Sequence, residues 1–293
     1  MPEPAPRFSV VIATRDRPAV LRETLRSLAL CDPPPAETLV VDGSDGGSAE
    51  PEARDAAVRY ARSRPGLTAQ RNVALDLVEG DVVVFLDDDV EADARLFAAL
   101  ADGYRDPDVV GATGRVVEPD LRRFGNTRSR WRRLLPGGGG EGSLTRFGYP
   151  RRIQDETRER DVEYMLGCLM SARRDVAARL RFDERLTGYS LLEDEDFSYR
   201  LSRVGRVRYL PAASIVHRKV GASDHVGRAR EFGRTVVVTR AYLFRKNFRR
   251  TPLARLQFGL LVAVLAAHRA VNGEWAGVRG VIDGSLEAWR QRP

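Results

Sequence analysis

Val82 to Asp89 reads VVVFLDDD, an apolar run that leads directly into three consecutive carboxylates. An unbroken apolar run of this length predicts a strand buried on both faces of a parallel sheet, with the aspartates at its carboxyl end. Open α/β sheets bind their ligands at that edge. Three adjacent carboxylates repel one another when ionised, which suggests a divalent cation with oxygen ligands, Mg²⁺ or Mn²⁺. The alternative is an ordinary Asp-rich turn exposed to solvent.

Alternating strand and helix patterns surround this stretch. Short runs of strand-forming residues predict strands at Phe8–Ala13, at Thr38–Val41 and around Val58–Ala61. Apolar residues at helical spacing predict helices at Ala19–Leu30, from Ala49, and at Gly66–Gly80 with Thr68 as N-cap, then at Ala92–Tyr104 before a strand at Val109–Val117. This order predicts a doubly wound, mainly parallel α/β sheet flanked by helices. The loops that carry Thr14, Asp42 and Asp87 to Asp89 should open on one edge of it.

The sequence changes character from Pro119 to Arg160, which holds 11 arginines and the run PGGGGEG. A long irregular stretch inside a domain is typically a functional lid or a disordered loop, so residues 118–160 are predicted to form a mobile Arg/Gly-rich loop near the site. Regular patterns then return, predicting a strand at Val162–Ala172, helices at Arg173–Leu180 and Leu191–Val204, and one or two strands over Val207–Pro211 and Ser214–His217.

Composition narrows the class of protein. Of 293 residues, 43% are hydrophobic and 30% charged, which excludes a chain that is disordered throughout. The net charge of +7 is concentrated in residues 226–293, where 13 lysines and arginines face 4 acidic residues. The two cysteines, Cys31 and Cys168, are too few and too unpatterned to predict a disulfide scaffold or a zinc site, and they favour a reducing compartment.

The basic C-terminal part predicts two or three amphipathic helices, broken near Thr251-Pro252 and at Asn272-Gly273. Its most apolar run, Phe258–Ala267, has ten residues against the roughly 20 that a spanning helix needs. Three partners are open: anionic lipid headgroups, the catalytic domain or a second subunit, and nucleic acid. Nucleic acid is not expected. The chain is expected in the cytoplasm, either free or peripheral at the inner face of the cell membrane.

A series of motifs stands in a characteristic order along the chain: TRDRP, VVDGS, QRN, FLDDD, GCLM, EDEDFSYRL and PAASIVH. This series resembles a family-2 glycosyltransferase of the GT-A fold over Phe8 to about His217. The resemblance implies a GT-A catalytic domain at residues 1–225. The basic amphipathic helical extension at 226–293 lies outside the resemblance and is predicted from its charge and helical pattern alone. It also implies a nucleoside-diphosphate sugar as donor and a glycan, a lipid-linked compound or a small molecule as acceptor.

The resemblance assigns residues to the donor and to its metal. It places the ion, Mg²⁺ or Mn²⁺, on Asp89 and Asp87 of a D-x-D motif, with His217 completing the site. Asp87 would also lie toward the ribose, and Asp88 could contact the residues that bind the ion without binding the ion itself. The remaining donor contacts would come from Thr14, Asp42, Arg71 and Gly167. The plainer alternatives are a capped turn at Asp42, a solvated helix face at Arg71 and a packed histidine at 217.

The acidic cluster EDED at residues 193–196 matches the motif of inverting members of this family. There a carboxylate accepts the proton of the attacking hydroxyl, and the matching position is Asp194, with Glu193 next. Closely packed like charges tend to raise at least one pKa, which suits a general base. The alternative is a set of ordinary acidic residues in the first turn of a helix.

The resemblance therefore implies a metal-dependent inverting glycosyltransferase, and we expect it to serve cell-surface polysaccharide or glycolipid synthesis. Two alternatives remain: a non-catalytic nucleotide- or polyanion-binding protein, and a sugar nucleotidyltransferase. Sugar nucleotidyltransferases carry a G-x-G-T-R signature after the first strand. This chain has ATRDRP there, which counts against that class.

Overall fold

The structure is a computed structural model that describes residues 5–118, 139–153, 156–186, 191–219 and 228–291. These residues form two compact units. The first comprises the described parts of 1–121 and 152–220, and the second those of 122–151 and 221–293. The predicted boundary near residue 225 stays a prediction.

The first half of the first unit is a run of strands and helices in strict alternation. Its elements are β1 (Phe8–Thr14), α1 (Pro18–Leu28), β2 (Glu37–Asp42), α2 (Glu50–Asp55), β3 (Arg59–Arg62), α3 (Leu67–Leu77) and β4 (Val82–Asp87). The four strands lie in the order β3-β2-β1-β4 and are all parallel. The predicted α/β fold is confirmed.

The rest of the first unit extends the same sheet with strands of both directions. Its elements are β5 (Val90–Ala92), α4 (Leu96–Gly103), β6 (Val109–Val117), β7 (Arg160–Asp161), β8 (Leu169–Arg173), α5 (Arg174–Leu180), α6 (Glu193–Ser202) and β9 (Arg206–His217). From β4 the order continues β8-β6-β9-β5, and β7 pairs with β9. Because β8 runs antiparallel to both β4 and β6, it joins the parallel half to the mixed half.

Strand β4 is the centre of the core. Val82, Val84 and Leu86 pack into a cluster on one face of the sheet, and Val83 and Phe85 pack into a second cluster on the other. All five side chains are at most 1% exposed. The strand is therefore buried on both faces, as its unbroken apolar run predicts.

Three local predictions are wrong. Of the predicted strand Val162–Ala172, only residues 169–172 lie in a strand, the observed β8 (Leu169–Arg173). The residues before it form an irregular, largely buried segment of similar apolar composition. The helix predicted from Ala92 begins at Leu96, since Val90–Ala92 pairs with β9 instead. The N-cap of α3 is Gly66, and Thr68 lies inside the helix.

The second unit contains three helices within residues 228–291: α7 (Ala229–Asn247), α8 (Pro252–Val271) and α9 (Trp275–Arg290). Their breaks fall where the proline and the Asn-Gly pair predict them. Thr251 caps α8 by accepting a hydrogen bond from Ala254 N. Helices α7 and α9 approach closely at glycines: a Cβ on Gly233 would lie only 2.7 Å from the Gly277 carbonyl oxygen.

The predicted mobile loop, residues 118–160, lies partly outside the described residues, which omit 119–138 and 154–155. Within 139–153 a single bridge pairs Leu144 with Pro150. Phe147 and Tyr149 are buried in a cluster with Phe244 of α7. Phe147 and Tyr149 thus pack within the second unit, whereas residues 156–160 belong to the first.

Helix α8 is the one helix within the described residues that is long and apolar enough, by length and composition alone, to cross a membrane. Only 17% of its most apolar window is buried within the protein. The ten-residue run that looked too short in the sequence is the middle of a 20-residue helix, so the sequence underestimated its apolar length.

Candidate active site at the carboxyl edge of the sheet

Parallel pairing brings the predicted polar loops to one edge of the sheet. Thr14 at the end of β1 lies opposite Asp42 at the end of β2, and Ala13 lies opposite Asp87 at the end of β4. These are the carboxyl ends of neighbouring parallel strands, so their loops open together, as predicted.

Two of the three adjacent aspartates face a histidine. His217 ends β9 and pairs with Val90 of β5, the residue that directly follows Asp89. Its Nε2 atom lies 3.2 Å from Asp89 Oδ1 and 3.8 Å from Asp87 Oδ2. Two carboxylates and an imidazole nitrogen thus converge, and this donor set fits a divalent cation such as Mn²⁺ or Mg²⁺.

The middle aspartate points elsewhere. Asp88 accepts a hydrogen bond of 2.7 Å from the Thr14 hydroxyl and one of 2.6 Å from Arg17 Nη1. Burial raises the pKa of Asp88 to about 6, although Thr14 and Arg17 oppose the rise. Asp88 and Thr14 therefore hold each other at the end of the sheet, and Thr14 takes part through its side chain.

Arg17 is a site residue that the sequence analysis did not single out. Its guanidinium contacts Asp88 Oδ1 at 2.6 Å and Asp89 Oδ2 at 3.0 Å, and its side chain is 32% exposed. Burial of Asp89 favours a raised pKa, but His217 and Arg17 outweigh it and lower the pKa below its usual value. The sequence signal that could have identified Arg17 is its position three residues after β1, in a loop at the edge of the sheet where ligands bind.

A further ionic layer supports the histidine. Glu118 Oε1 lies 3.5 Å from His217 Nδ1 and 2.7 Å from Lys219 Nζ. Burial would raise the pKa of Glu118, but these two partners bring it down to about 2. Burial lowers the pKa of His217, yet its neighbours, foremost Asp89, raise it to about 12. The acidic groups around His217 therefore favour a positive charge at this position.

Arg71 is 1% exposed, so the alternative of a solvated helix face is wrong. Its Nη1 atom lies 3.1 Å from Glu193 Oε1, and its Nη2 atom lies 3.5 Å from Asp87 Oδ1 and donates to the Gly167 carbonyl at 2.8 Å. One buried cation thus joins the D-x-D motif on β4 to the acidic end of α6. Its predicted contact with the diphosphate stays a prediction.

The first turn of α6 presents two acids with different surroundings. Glu193 is 7% exposed, and burial together with the charge of Asp194 raises its pKa to about 8. Asp194 is half-buried; its Oδ2 accepts from Gly167 N at 3.2 Å and from Tyr164 Oη at 3.3 Å. Burial also raises the pKa of Asp194. Since Arg71 engages Glu193, Asp194 is the more accessible carboxylate.

Asp42 differs from the other predicted residues. It is completely buried, and its two oxygens accept hydrogen bonds from Ser44 N, Ser44 Oγ, Ala49 N and Tyr60 Oη. Burial favours a raised pKa, but these donors lower it. The capped-turn interpretation describes Asp42 in this structure, and its contact with a nucleobase stays a prediction.

The family model for glycosyl transferase family 2 matches residues 9–181, more than half of the chain. The chain belongs to this family. A comparison with curated proteins finds no match. The fold of this chain is also similar to the folds of several solved structures. Their sequence identities to this chain are below 20%, so the likeness concerns the fold.

Three solved structures illustrate this likeness. The mannosyltransferase PcManGT of Pyrobaculum calidifontis, in complex with GDP-Man and Mn²⁺, is 17% identical with a TM-score of 0.58, and the match covers 99% of this chain and 89% of that one. GalNAc-T7 with UDP, GalNAc and Mn²⁺ is 19% identical with a TM-score of 0.56, over 80% of this glycosyltransferase and 48% of that chain. TarS of S. aureus is 19% identical with a TM-score of 0.53, and the match covers 90% of this chain and 43% of that one.

Proposed function

We propose that this glycosyltransferase is a metal-dependent inverting enzyme that moves a sugar from a nucleoside-diphosphate sugar to an acceptor hydroxyl. The observation that carries the proposal is the link from Asp87 through buried Arg71 to the acidic start of α6. This link supports the proposal because Arg71 also contacts Gly167, whose backbone N–H donates to Asp194, the candidate base. The GDP-Man and UDP bound with Mn²⁺ to two of the similar structures support this class of donor.

Asp87, Asp89 and His217 would hold the ion. When bound, the ion would supply positive charge to balance the diphosphate as it leaves. Arg17 and Arg71 hold the carboxylates in place around it, through contacts of 2.6 to 3.5 Å. Thr14 and Asp88 fix the strand ends against which the nucleotide would lie.

Asp194 acts in this proposal as general base. Its carboxylate removes the proton of the acceptor hydroxyl, and the acceptor oxygen forms a bond to the anomeric carbon as the bond to the diphosphate breaks. Attack on the face opposite the leaving group inverts the configuration at that carbon. Gly167 N and Tyr164 Oη orient the carboxylate through contacts of 3.2 and 3.3 Å. The product would serve cell-surface polysaccharide or glycolipid synthesis.

A nucleotide panel tests the donor class. The melting temperature is measured with each nucleoside diphosphate, with and without Mn²⁺. One nucleotide should stabilise the protein only when Mn²⁺ is present, by about 2.7 kcal/mol at a hundredfold excess over its dissociation constant. Equal stabilisation by every polyanion, lost steeply with salt, would instead indicate the non-catalytic polyanion-binding protein. Pyrophosphate release from a nucleoside triphosphate and a sugar phosphate would indicate the nucleotidyltransferase.

We further propose that the second unit attaches the enzyme to the inner face of the cell membrane. The support is a set of large apolar side chains on α8 and α9 that remain 44% to 84% exposed: Leu253, Leu256, Leu260, Val271, Trp275, Ile282, Leu286 and Trp289. Leu253, Leu256 and Leu260 are three and four residues apart, so they lie along one helix face. Exposed basic residues precede that helix, at Lys246, Arg249 and Arg250, as in helices that bind anionic lipid surfaces.

Vesicle flotation tests this attachment. The full chain should float with vesicles that contain anionic lipid, and replacing Leu256 and Leu260 together by glutamine should lower the bound fraction at least about tenfold. Leu30→Gln is the matched control, because Leu30 is 76% exposed but lies in the first unit. The alternative outcome is that the chain does not float with vesicles and forms a concentration-dependent dimer that the double variant does not form. That result would show that this helix face binds a second subunit.

A further inference from the structure

A buried thiol lies against the proposed ion site. Cys168 is 4% exposed and stands between Gly167 and the start of β8. Its Sγ atom, a carboxylate oxygen of Asp87 and an imidazole nitrogen of His217 all lie within 4.8 Å of one another. The proposed transfer reaction uses the carboxylate and the imidazole and gives the sulfur no role.

The other cysteine shows what a thiol without such neighbours looks like in this protein. Cys31 Sγ donates weak hydrogen bonds to two backbone carbonyls, those of Ser27 at 3.7 Å and Asp93 at 3.6 Å. It belongs to the apolar core on one face of the sheet. Cys168 belongs to the same buried cluster but also lies beside a carboxylate and an imidazole, two groups that bind metals.

Sulfur, nitrogen and oxygen donors together favour a different ion from the one expected at a D-x-D motif. A thiolate and an imidazole select Zn²⁺ and other thiophilic ions, whereas Mg²⁺ and Mn²⁺ prefer oxygen. Three protein ligands with one open position are the usual arrangement of a reactive zinc site. Their spacing in sequence gave no zinc pattern because each ligand comes from a different strand or its flank.

The surrounding charges keep the ligands in place. Glu118 Oε1 lies 3.5 Å from His217 Nδ1, an ion-pair contact, while Nε2 of the same ring faces Asp87 and Asp89. Arg71 lies 3.5 Å from Asp87 Oδ1 on the other side. Both outer contacts orient side chains that the three-ligand set needs.

We propose that Cys168 joins Asp87 and His217 as a sulfur ligand and that this trio binds a thiophilic divalent ion such as Zn²⁺. On binding, the ion forms bonds to the Cys168 sulfur, a His217 nitrogen and an Asp87 oxygen, and the thiol proton and the imidazolium proton of His217 leave to solvent. The inference rests on the proposed function in one respect: Asp87 and His217 serve both sites, so Zn²⁺ competes with Mn²⁺ and inhibits the transfer reaction.

Cobalt spectroscopy tests the sulfur ligand directly. Co²⁺ added to the metal-free full chain should produce a sulfur-to-cobalt charge-transfer band in the near ultraviolet. The band should persist in Cys31→Ser and disappear in Cys168→Ser. Zn²⁺ affinity, measured by competition with a chelator, should fall at least about tenfold in Cys168→Ser, while Mn²⁺ affinity should change by less than about threefold. A band retained in Cys168→Ser, or none in the unaltered protein, overturns the proposal.

A measurement on the unaltered chain covers the case of a variant that fails to fold. Zn²⁺ should protect one of the two thiols from alkylation, identified as Cys168 by peptide mass; equal labelling of Cys168 with and without Zn²⁺ overturns the proposal. The nucleotide panel separates this result from the proposed function. A cobalt–sulfur band without any Mn²⁺-dependent nucleotide binding would keep the thiol site and refute the transferase mechanism, and the opposite pair of results would do the reverse.

Discussion

Replacing Asp89 with asparagine is expected to lower sugar transfer at least about 10²- to 10³-fold, the loss typical when a group that stabilises transition-state charge is removed. The substitution keeps the shape of the side chain but removes its negative charge. Asp89 is 7% exposed and lies 3.2 Å from His217 Nε2, and its lowered pKa keeps it ionised at neutral pH. Release of nucleoside diphosphate at saturating donor measures the rate, and Mn²⁺ titration followed by electron paramagnetic resonance measures ion affinity, which should fall in parallel.

Glu91→Gln is the control for this variant. It removes a carboxylate only two residues away, but Glu91 is exposed and pairs with Arg218 at the surface. Its rate and ion affinity should match those of the unaltered chain. Full transfer by Asp89→Asn with unchanged Mn²⁺ affinity would remove Asp89 from the ion site.

Replacing Asp194 with asparagine is expected to lower kcat about 10²- to 10⁴-fold with little change in KM for the donor, as for loss of a general base. The pH profile gives a second readout. A base works only when deprotonated, so kcat should fall as pH drops through the pKa of Asp194. Burial raises that pKa, so the fall should occur at a higher pH than for an ordinary aspartate. The acidic limb should be absent in the residual activity of the variant.

Asp175→Asn provides the comparison, because Asp175 is an exposed first-turn acid on α5 that pairs only with Arg179 among its described contacts. It should leave kcat and the acidic limb unchanged. If Asp194→Asn keeps both, the proton goes to another group, and Glu193→Gln becomes the variant to examine. A shift in donor KM alone would point to substrate positioning.

Most of the parallel sheet could be predicted because its signals are local. The apolar run of β4 and the helical spacing of α1 and α3 each specify their own structure. Strand β5 could not be predicted: three residues become a strand only because β9, far along the chain, pairs with them. The segment before β8 failed for the opposite reason, since apolar composition reports burial and does not distinguish a strand from a buried irregular segment.

The site was predictable in its residue types and much less so in its contacts. The sequence indicates three adjacent aspartates, but only tertiary structure turns Asp87 and Asp89 toward His217 and Asp88 toward Thr14. The burial of Arg71 between Asp87 and Glu193 likewise depends on α6, which follows in sequence by over a hundred residues. The contacts of Asp42 could not be read from the motif either, because one of its donors, Tyr60, comes from the next strand of the sheet.

The position of β9 has a consequence for how this chain matures. Strand β9 is the last strand of the first unit, and it inserts between β6 and β5 to bring His217 beside Val90. During synthesis the aspartates leave the ribosome long before the histidine does, because His217 lies more than a hundred residues further along the chain. Domains begin to fold as the chain emerges. Pairing between strands that lie far apart in sequence is slow, because the entropy of closing the intervening loop is lost before the new contacts form. The nascent chain can assemble its aspartate–histidine cluster only after this insertion, so the cluster forms only once the described sheet of the first unit is complete.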